Sequence, residues 1–200
     1  MIKVGVLNLQ GAVTEHLEMT INAIKNMGKE NEIIAKPVRY ADEVAMCKGI
    51  IIPGGESTVI GKIIKERGID KVIRDNKIPV FGTCAGMVLL SKKTDYDQDL
   101  IGIIDIEVNR NSFGRQKDSF EDEITILGDI YTGVFIRAPS VSKILNSNSN
   151  SNNNMEVEIL SKLDSNIIAV KQGNNIALSF HPELTDDTRL HEYYLNGILG

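Results

Sequence analysis

Cys84 stands between two glycines in Gly82–Thr83–Cys84–Ala85–Gly86, just after the apolar run Ile78–Phe81. A thiol with small neighbours suits a sharp turn from a strand into a helix, because the strained backbone there must pass close to its sheet. A helix N-terminus beside it favours thiolate, the reactive form. The stretch equally fits a cysteine buried in a glycine-rich turn. A cysteine nucleophile needs a base, and the chain has 3 histidines. His181 follows the apolar run Ile176–Phe180, is fixed by Pro182, and precedes Glu183 by two residues. On an extended stretch residues i and i+2 point the same way, so the carboxylate would lie beside the imidazole and hold its tautomer. A plain His-Pro turn at a strand end is the other reading. His16, between Glu15 and Leu17, and His191, beside Glu192, read as ordinary helix residues outside the chemistry.

Pro53–Gly54–Gly55–Glu56–Ser57 supplies a third part. Backbone N–H groups freed in such a turn can point at a developing oxyanion, and the amide of Ala85 is the other natural donor. A phosphate loop is disfavoured: the G-x-x-x-x-G-K-[ST] spacing is missing and an acid stands where phosphate would be repelled. Arg110 and Arg137 lie near strand ends. A guanidinium binds an α-carboxylate bidentately, and Glu56 can pair with an α-ammonium.

The elements that must hold these residues alternate in the first half. Strands are expected at Ile2–Leu9, Ile33–Ala35, Gly49–Ile52 and Ile78–Phe81. Helices are expected with Val13, Leu17, Ile21 and Ile24 on one face, over Asp42–Cys47, after Ser57 as a cap, and over Ile69–Asn76. Such alternation predicts a parallel sheet with helices on both faces, and ligands bind at the carboxyl ends of its strands. Leu9–Gly11, Pro53–Glu56 and Thr83–Gly86 should therefore share one edge. The second half reads as short strands at Ile103–Val108, Glu123–Leu127, Gly133–Ile136, Val157–Leu163, Ile167–Lys171 and Ile176–Phe180, then a helix over Thr188–Leu199. The fold expected is α/β: a flavodoxin-like three-layer sandwich with extra antiparallel strands in the second half.

Residues 1–200 suit a single domain. Asn146–Asn154 has no apolar residue and reads as a mobile, solvated surface loop without a chemical role. The net charge of -5 argues against a nucleic-acid partner. No apolar run approaches the roughly 20 residues of a membrane span. The chain goes straight from Met1 into a strand pattern, so no signal peptide is read. Two cysteines, Cys47 and Cys84, make no disulfide scaffold, and the cytoplasm is the expected compartment. Cys47 reads as a small buried hydrophobe.

Together G-T-C-A-G at 82–86, P-G-G-E-S-T at 53–58 and S-F-H-P-E at 179–183 resemble the class I glutamine amidotransferases. L-Q-G-A at 9–12 with Glu15–His16, N-S-F-G-R-Q at 111–116, D-S-F at 118–120, T-G-V-F-I-R-A-P at 132–139, A-V-K-Q-G at 169–173 and H-P-E-L-T at 181–185 narrow this to the glutaminase subunits of pyridoxal 5′-phosphate synthase. The resemblance runs from Val4 to the last helix. It implies hydrolysis of L-glutamine to glutamate and ammonia by a Cys84–His181–Glu183 triad through a γ-glutamyl thioester. It implies an oxyanion hole from the amides of Gly55 and Ala85, and glutamine contacts at Gly55, Glu56, Ser57, Arg110, Ile136 and Arg137. Neither metal nor cofactor is needed. The implied partner is a (β/α)8-barrel synthase subunit in a large hetero-oligomer that receives the ammonia and activates the glutaminase by docking. Leu9, Gln10 and Gly11 are expected in that contact because they share the edge of the site. A different amidotransferase subunit, a cysteine hydrolase of γ-glutamyl peptides and a non-catalytic binding subunit are the competing readings.

Overall fold

Ile50, Ile51 and Ile52 are all fully buried, yet they face two different cores. Ile50 and Ile52 pack with Val80, Met87 and Leu89, whereas Ile51 packs with Val4, Val6 and Phe81. Successive side chains of a strand leave opposite faces, so an unbroken apolar run marks a strand covered on both sides. The layers follow: helices on either face of one sheet. The computed structural model describes residues 1–113, 119–145 and 155–200. The loop expected at 146–154, and Gly114, Arg115, Gln116 and Asp118 of the quoted motifs, lie outside the described residues.

The first half runs β1 (Ile2–Leu7), α1 (Val13–Asn26), β2 (Ile33–Val38), α2 (Ala41–Ala45), β3 (Gly49–Ile52), α3 (Ser57–Glu66), α4 (Ile69–Asp75), β4 (Val80–Thr83) and α5 (Ala85–Leu90). The second half adds β5 (Ser91–Thr94), β6 (Ile104–Asn109), β7 (Ser119–Ile126), β8 (Asp129–Ile136), β9 (Ser140–Ile144), β10 (Glu158–Leu163), β11 (Asn166–Gln172), β12 (Asn175–Leu178) and α6 (Arg189–Leu199). The large sheet has the order β2-β1-β3-β4-β12-β11-β9-β6-β5, with β10 on β11, and β7-β8 form a separate ribbon. The pairings from β2 to β12 are parallel, and β12 to β11 and β6 to β9 are antiparallel. This is the expected class, a mostly parallel central sheet extended by antiparallel strands.

Several local expectations change. β2 continues past Ala35 through Pro37, which an edge strand tolerates because one side needs no N–H. Ser57 is the first residue of α3 rather than its cap; its hydroxyl donates to Gln98 Oε1 at 3.0 Å. β5 and β9 were not expected. The strands expected at Glu123–Leu127 and Gly133–Ile136 are one longer hairpin, turned at Leu127 (φ 54°) and Gly128 (φ 82°). Positive φ at both central residues matches the turn to the right-handed twist of a ribbon. On α1 the buried residues are His16, Met19, Thr20, Ala23 and Ile24, while Ile21 is 49% exposed. The true inner face is thus rotated from the apolar stripe and takes in a histidine and a threonine. Cys47 is buried as expected, and its thiol donates to the Glu43 carbonyl.

Gly86 lets α5 press onto the sheet: a Cβ there would stand 2.5 Å from the Ile52 carbonyl oxygen. Gly86→Ala should lower stability by about 1–3 kcal/mol through this overpacking. Denaturant unfolding checks it; an unchanged midpoint would refute the close approach.

Candidate active site

β4 delivers Cys84 to the end of the sheet and α5 begins at the next residue. The turn between them forces Cys84 to φ 50°, ψ -103°. A residue with a side chain holds such a conformation only where its surroundings impose it, at about 1–3 kcal/mol. They do so here. Its N–H donates to the Leu178 carbonyl of β12 at 2.8 Å, and Gly82 and Gly86 approach too closely for either to carry a Cβ. The half-buried thiol has the Ile136 carbonyl at 3.7 Å.

β12 brings His181 to the same edge. His181 follows it by three residues, and its N–H donates to the Val134 carbonyl of β8 at 2.8 Å. Pro182–Leu184 is a turn of 3-10 helix, so the carboxylate reaches the ring through that turn and not by strand alternation as expected. The outcome is the expected pair: His181 Nδ1 and Glu183 Oε1 are 2.7 Å apart. Burial works against the charged form of each. For Glu183 the imidazoles of His16 and His181 outweigh it and hold the carboxyl below the usual carboxylate range. For His181 the Cys84 sulfur and the Glu183 carboxylate outweigh it and raise the imidazole above its usual value.

The Pro53–Ser57 loop lies against this pair. A Cβ on Gly54 would be 2.5 Å from His181 Cε1 and 3.3 Å from Cys84 Cβ. Gly11, at φ +91°, abuts Gly54 so closely that a Cβ would collide with its carbonyl oxygen. The Glu56 N–H donates to Gln10 Oε1 at 2.9 Å. Leu9–Gly11, Pro53–Glu56 and the elbow thus share one edge, as the strand order required.

A pocket of about 190 Å³ opens beside the thiol, below the 300–1,000 Å³ of pockets for drug-sized ligands. Cys84, Ala85, Gly55, Glu56, Ser57, Arg110, Ile136 and Arg137 all line it, which is every residue expected from the sequence to meet substrate. His181 and Glu183 stand behind the thiol, both buried. Arg110 is held in place: its guanidinium lies 4.3 Å over the Tyr96 ring, 3.6 Å from Asp95, and donates to Gln98 Oε1 at 3.5 Å. Gln98 therefore braces both Ser57 and Arg110, and no motif flagged it. Sequence reasoning also set His16 and His191 aside. Both are wholly buried, and His16 Nε2 lies 3.1 Å from Glu183 Oε2 and 2.9 Å from Thr83 Oγ1. The i, i+3, i+4, i+7 spacing of His16, Met19, Thr20 and Ala23 was the signal that would have found it. Among the described residues no group of His, Cys, Asp and Glu is arranged to hold a metal ion. No described helix is long and apolar enough to cross a membrane.

A thiol on a strained elbow, an imidazole and a carboxylate beside a small polar pocket are the groups that cysteine-dependent acyl transfer requires. The chain belongs to the SNO glutamine amidotransferase family, whose profile matches residues 6–199. It is 65% identical over 200 residues to a Methanobrevibacter smithii protein named pyridoxal 5′-phosphate synthase subunit PdxT, covering 100% of this chain and 98% of that one. A crystal structure of a glutamine amidotransferase superposes with TM-score 0.84 at 41% identity, covering 98% of this chain and 99% of the other. The glutaminase domain of Trypanosoma brucei CTPS with bound acivicin shares the fold, with TM-score 0.65 at 13% identity over 100% of this chain and 94% of that domain.

Because Glu183 is one cause of the raised His181 value, Glu183→Gln should lower the imidazole pKa, by about 1–3 pH units for a lost neighbouring charge. NMR titration of the His181 ring reads this directly; an unmoved inflection would mean the carboxylate does not tune it. The sign follows from the raised value: the stability contributed by this proton is present below the unfolded value of 6.5 and is lost as pH rises through the folded one.

Proposed function

We propose that this chain, as one domain over residues 1–200, hydrolyses L-glutamine to L-glutamate and ammonia and hands the ammonia to a pyridoxal 5′-phosphate synthase partner. The observation that carries the reading is the Cys84–His181–Glu183 arrangement opening on a pocket with two arginines and an acid. It agrees with the name of the Methanobrevibacter smithii relative.

His181 removes the thiol proton, and the Cys84 sulfur attacks the side-chain amide carbon of glutamine. The carbonyl oxygen becomes an oxyanion, met by the amides of Gly55 and Ala85. Preorganised donors of this kind contribute on the order of 10²–10³ in kcat each. The intermediate collapses to a γ-glutamyl thioester as the amide nitrogen takes the proton from His181 and leaves as ammonia. Water then gives a proton to His181 and attacks the thioester; the thiol returns and glutamate leaves. Glu183 keeps the His181 tautomer fixed through both halves. Arg110 and Arg137 bind the α-carboxylate, Glu56 the α-ammonium, and Ser57 and Ile136 complete the enclosure. Thiol, imidazole and backbone amides suffice, so the reaction calls on no metal or cofactor.

The partner is a (β/α)8-barrel synthase subunit in a large hetero-oligomer, in the cytoplasm. It docks on Leu9, Gln10 and Gly11. Free ammonia escapes into water, so a site completed by docking releases it only where it is used. The Gln10 bond to the Glu56 amide is the physical link, since it ties the docking segment to the oxyanion loop.

Cys84→Ala should abolish ammonia release from glutamine in the presence of the synthase while the two chains still associate; residual turnover would sink the nucleophile assignment. Gln10→Ala should lower partner-stimulated glutaminase by about tenfold, roughly the 1.4 kcal/mol of one modest hydrogen bond. Stimulation equal to that of the unaltered chain would remove Leu9–Gly11 from the coupling.

A further inference from the structure

The chain buries two histidines that the reaction above does not use. Both oxygens of Glu183 are withdrawn from water, its side chain being 0% exposed. Oε1 is engaged by His181 Nδ1. Oε2 has no well-aligned hydrogen bond; its near polar neighbour is His16 Nε2 at 3.1 Å, with that nitrogen better aligned on Thr83 Oγ1 at 2.9 Å. Thr83 is the residue before the nucleophile, so one ring nitrogen of His16 touches both the carboxylate and the elbow.

The hydrogen-bond network assigns the tautomers. His16 Nε2 must carry the proton, because a lone pair there would face a carboxylate in a dry site. Its Nδ1 is then an acceptor, and it takes the Nε2–H of His191 at 3.1 Å. His191 Nδ1 is left unprotonated, which accounts for its having no partner. Burial pushes the His191 imidazole well below its usual value, so it stays neutral. Phe81 closes the cluster, edge-on to His16 and to His191. The ring of His16 is thus fixed at both nitrogens, on a helix that packs on α6.

We propose that His16 is a positioning residue of the glutaminase: its Nε2–H holds the second oxygen of Glu183 and keeps that carboxylate turned toward His181 Nδ1, while His191 fixes the ring. The proposal rests on the triad reading above. His16 touches no substrate atom and acts through Glu183.

Two amide variants separate positioning from packing. In His16→Gln the side-chain N–H reaches the place of the imidazole Nε2; in His16→Asn it reaches that of Nδ1 and leaves Glu183 Oε2 without a donor. With the synthase present, His16→Asn should lose about 100-fold in kcat, within the ~10²–10⁴ that a positioned acid–base group supplies, with KM within about twofold because the pocket is intact. His16→Gln should recover at least tenfold of that loss. Equal kcat in the two variants, or a KM that rises in step, overturns the proposal. The unmutated chain gives a reading free of folding effects: ¹⁵N spectra of the imidazoles should show His16 protonated at Nε2 and not at Nδ1, and the reverse tautomer overturns it. If Cys84→Ala still releases ammonia the triad reading itself fails; if Cys84→Ala is inactive and the His16 variants are alike, only the role of His16 fails.

Discussion

One parallel pairing sets the distance between thiol and imidazole. β12 lies beside β4 with Leu178 opposite Thr83, and the Leu178 carbonyl takes the Cys84 N–H. That bond pins an elbow whose own backbone, at φ 50°, would otherwise relax. The chain leaving Leu178 then reaches His181 within three residues. A slip of this register by one residue would turn Phe81 and Leu178 toward the wrong core and carry the imidazole away from the sulfur. Burial of Phe81, Ile176, Leu178 and Phe180 fixes the register, so core packing and site geometry are set by the same contacts.

Electrostatics behind the thiol depends on that burial. In a dry interior a hydrogen bond to a charge is strong and an unmatched charge is costly. Glu183 is held below its usual value and His181 above it, each partly by the other. A solvated pair would show far less of either effect. His16 and His191 extend the same logic into the layer between α1 and the sheet. Thr20, on that same inner face, satisfies its hydroxyl within the helix by donating to the main-chain carbonyl of His16 at 2.6 Å.

Much of this could be read from the residues because it is local. The buried strands are continuous apolar runs, the elbow is five residues long, and His181 and Glu183 are two apart. What could not be read depends on distant partners. His16 is inside because of Thr83 and His191, 67 and 175 residues away, and hydrophobicity alone put Ile21 on the inner face of its helix, yet it is turned to solvent, while Val13, Leu17 and Ile24 pack inward as expected. β5, Ser91–Lys92–Lys93–Thr94, is a sheet edge of mostly polar residues, which carries no apolar pattern to detect. Gln98 lies in an irregular stretch where nothing but the fold shows that it faces Ser57 and Arg110. Ser57 had the residue type of a cap, and a tertiary hydrogen bond took its hydroxyl instead.

The site is built in two ways, and the difference bears on how a glutaminase is controlled. The half proposed for acid–base chemistry hangs from central strands and is buried. The half proposed to hold substrate comes from separate loops and the ribbon: Glu56 after β3, Arg110 after β6, Ile136 and Arg137 at the end of β8. Arg137 sits at φ 42°, another conformation that its surroundings must impose. Loops of this kind move more easily than paired strands. Between the halves lies a chain of close contacts, from Gly11 to Gly54 and from Gly54 to both His181 and Cys84. Glycines make these contacts, so no side chain cushions them. Leu9–Gly11 is thus packed directly on the peptide that carries the proposed oxyanion donor. In the proposed reaction, a partner seated on that segment therefore acts on the substrate half mechanically, while the sheet keeps the nucleophile and base where they are.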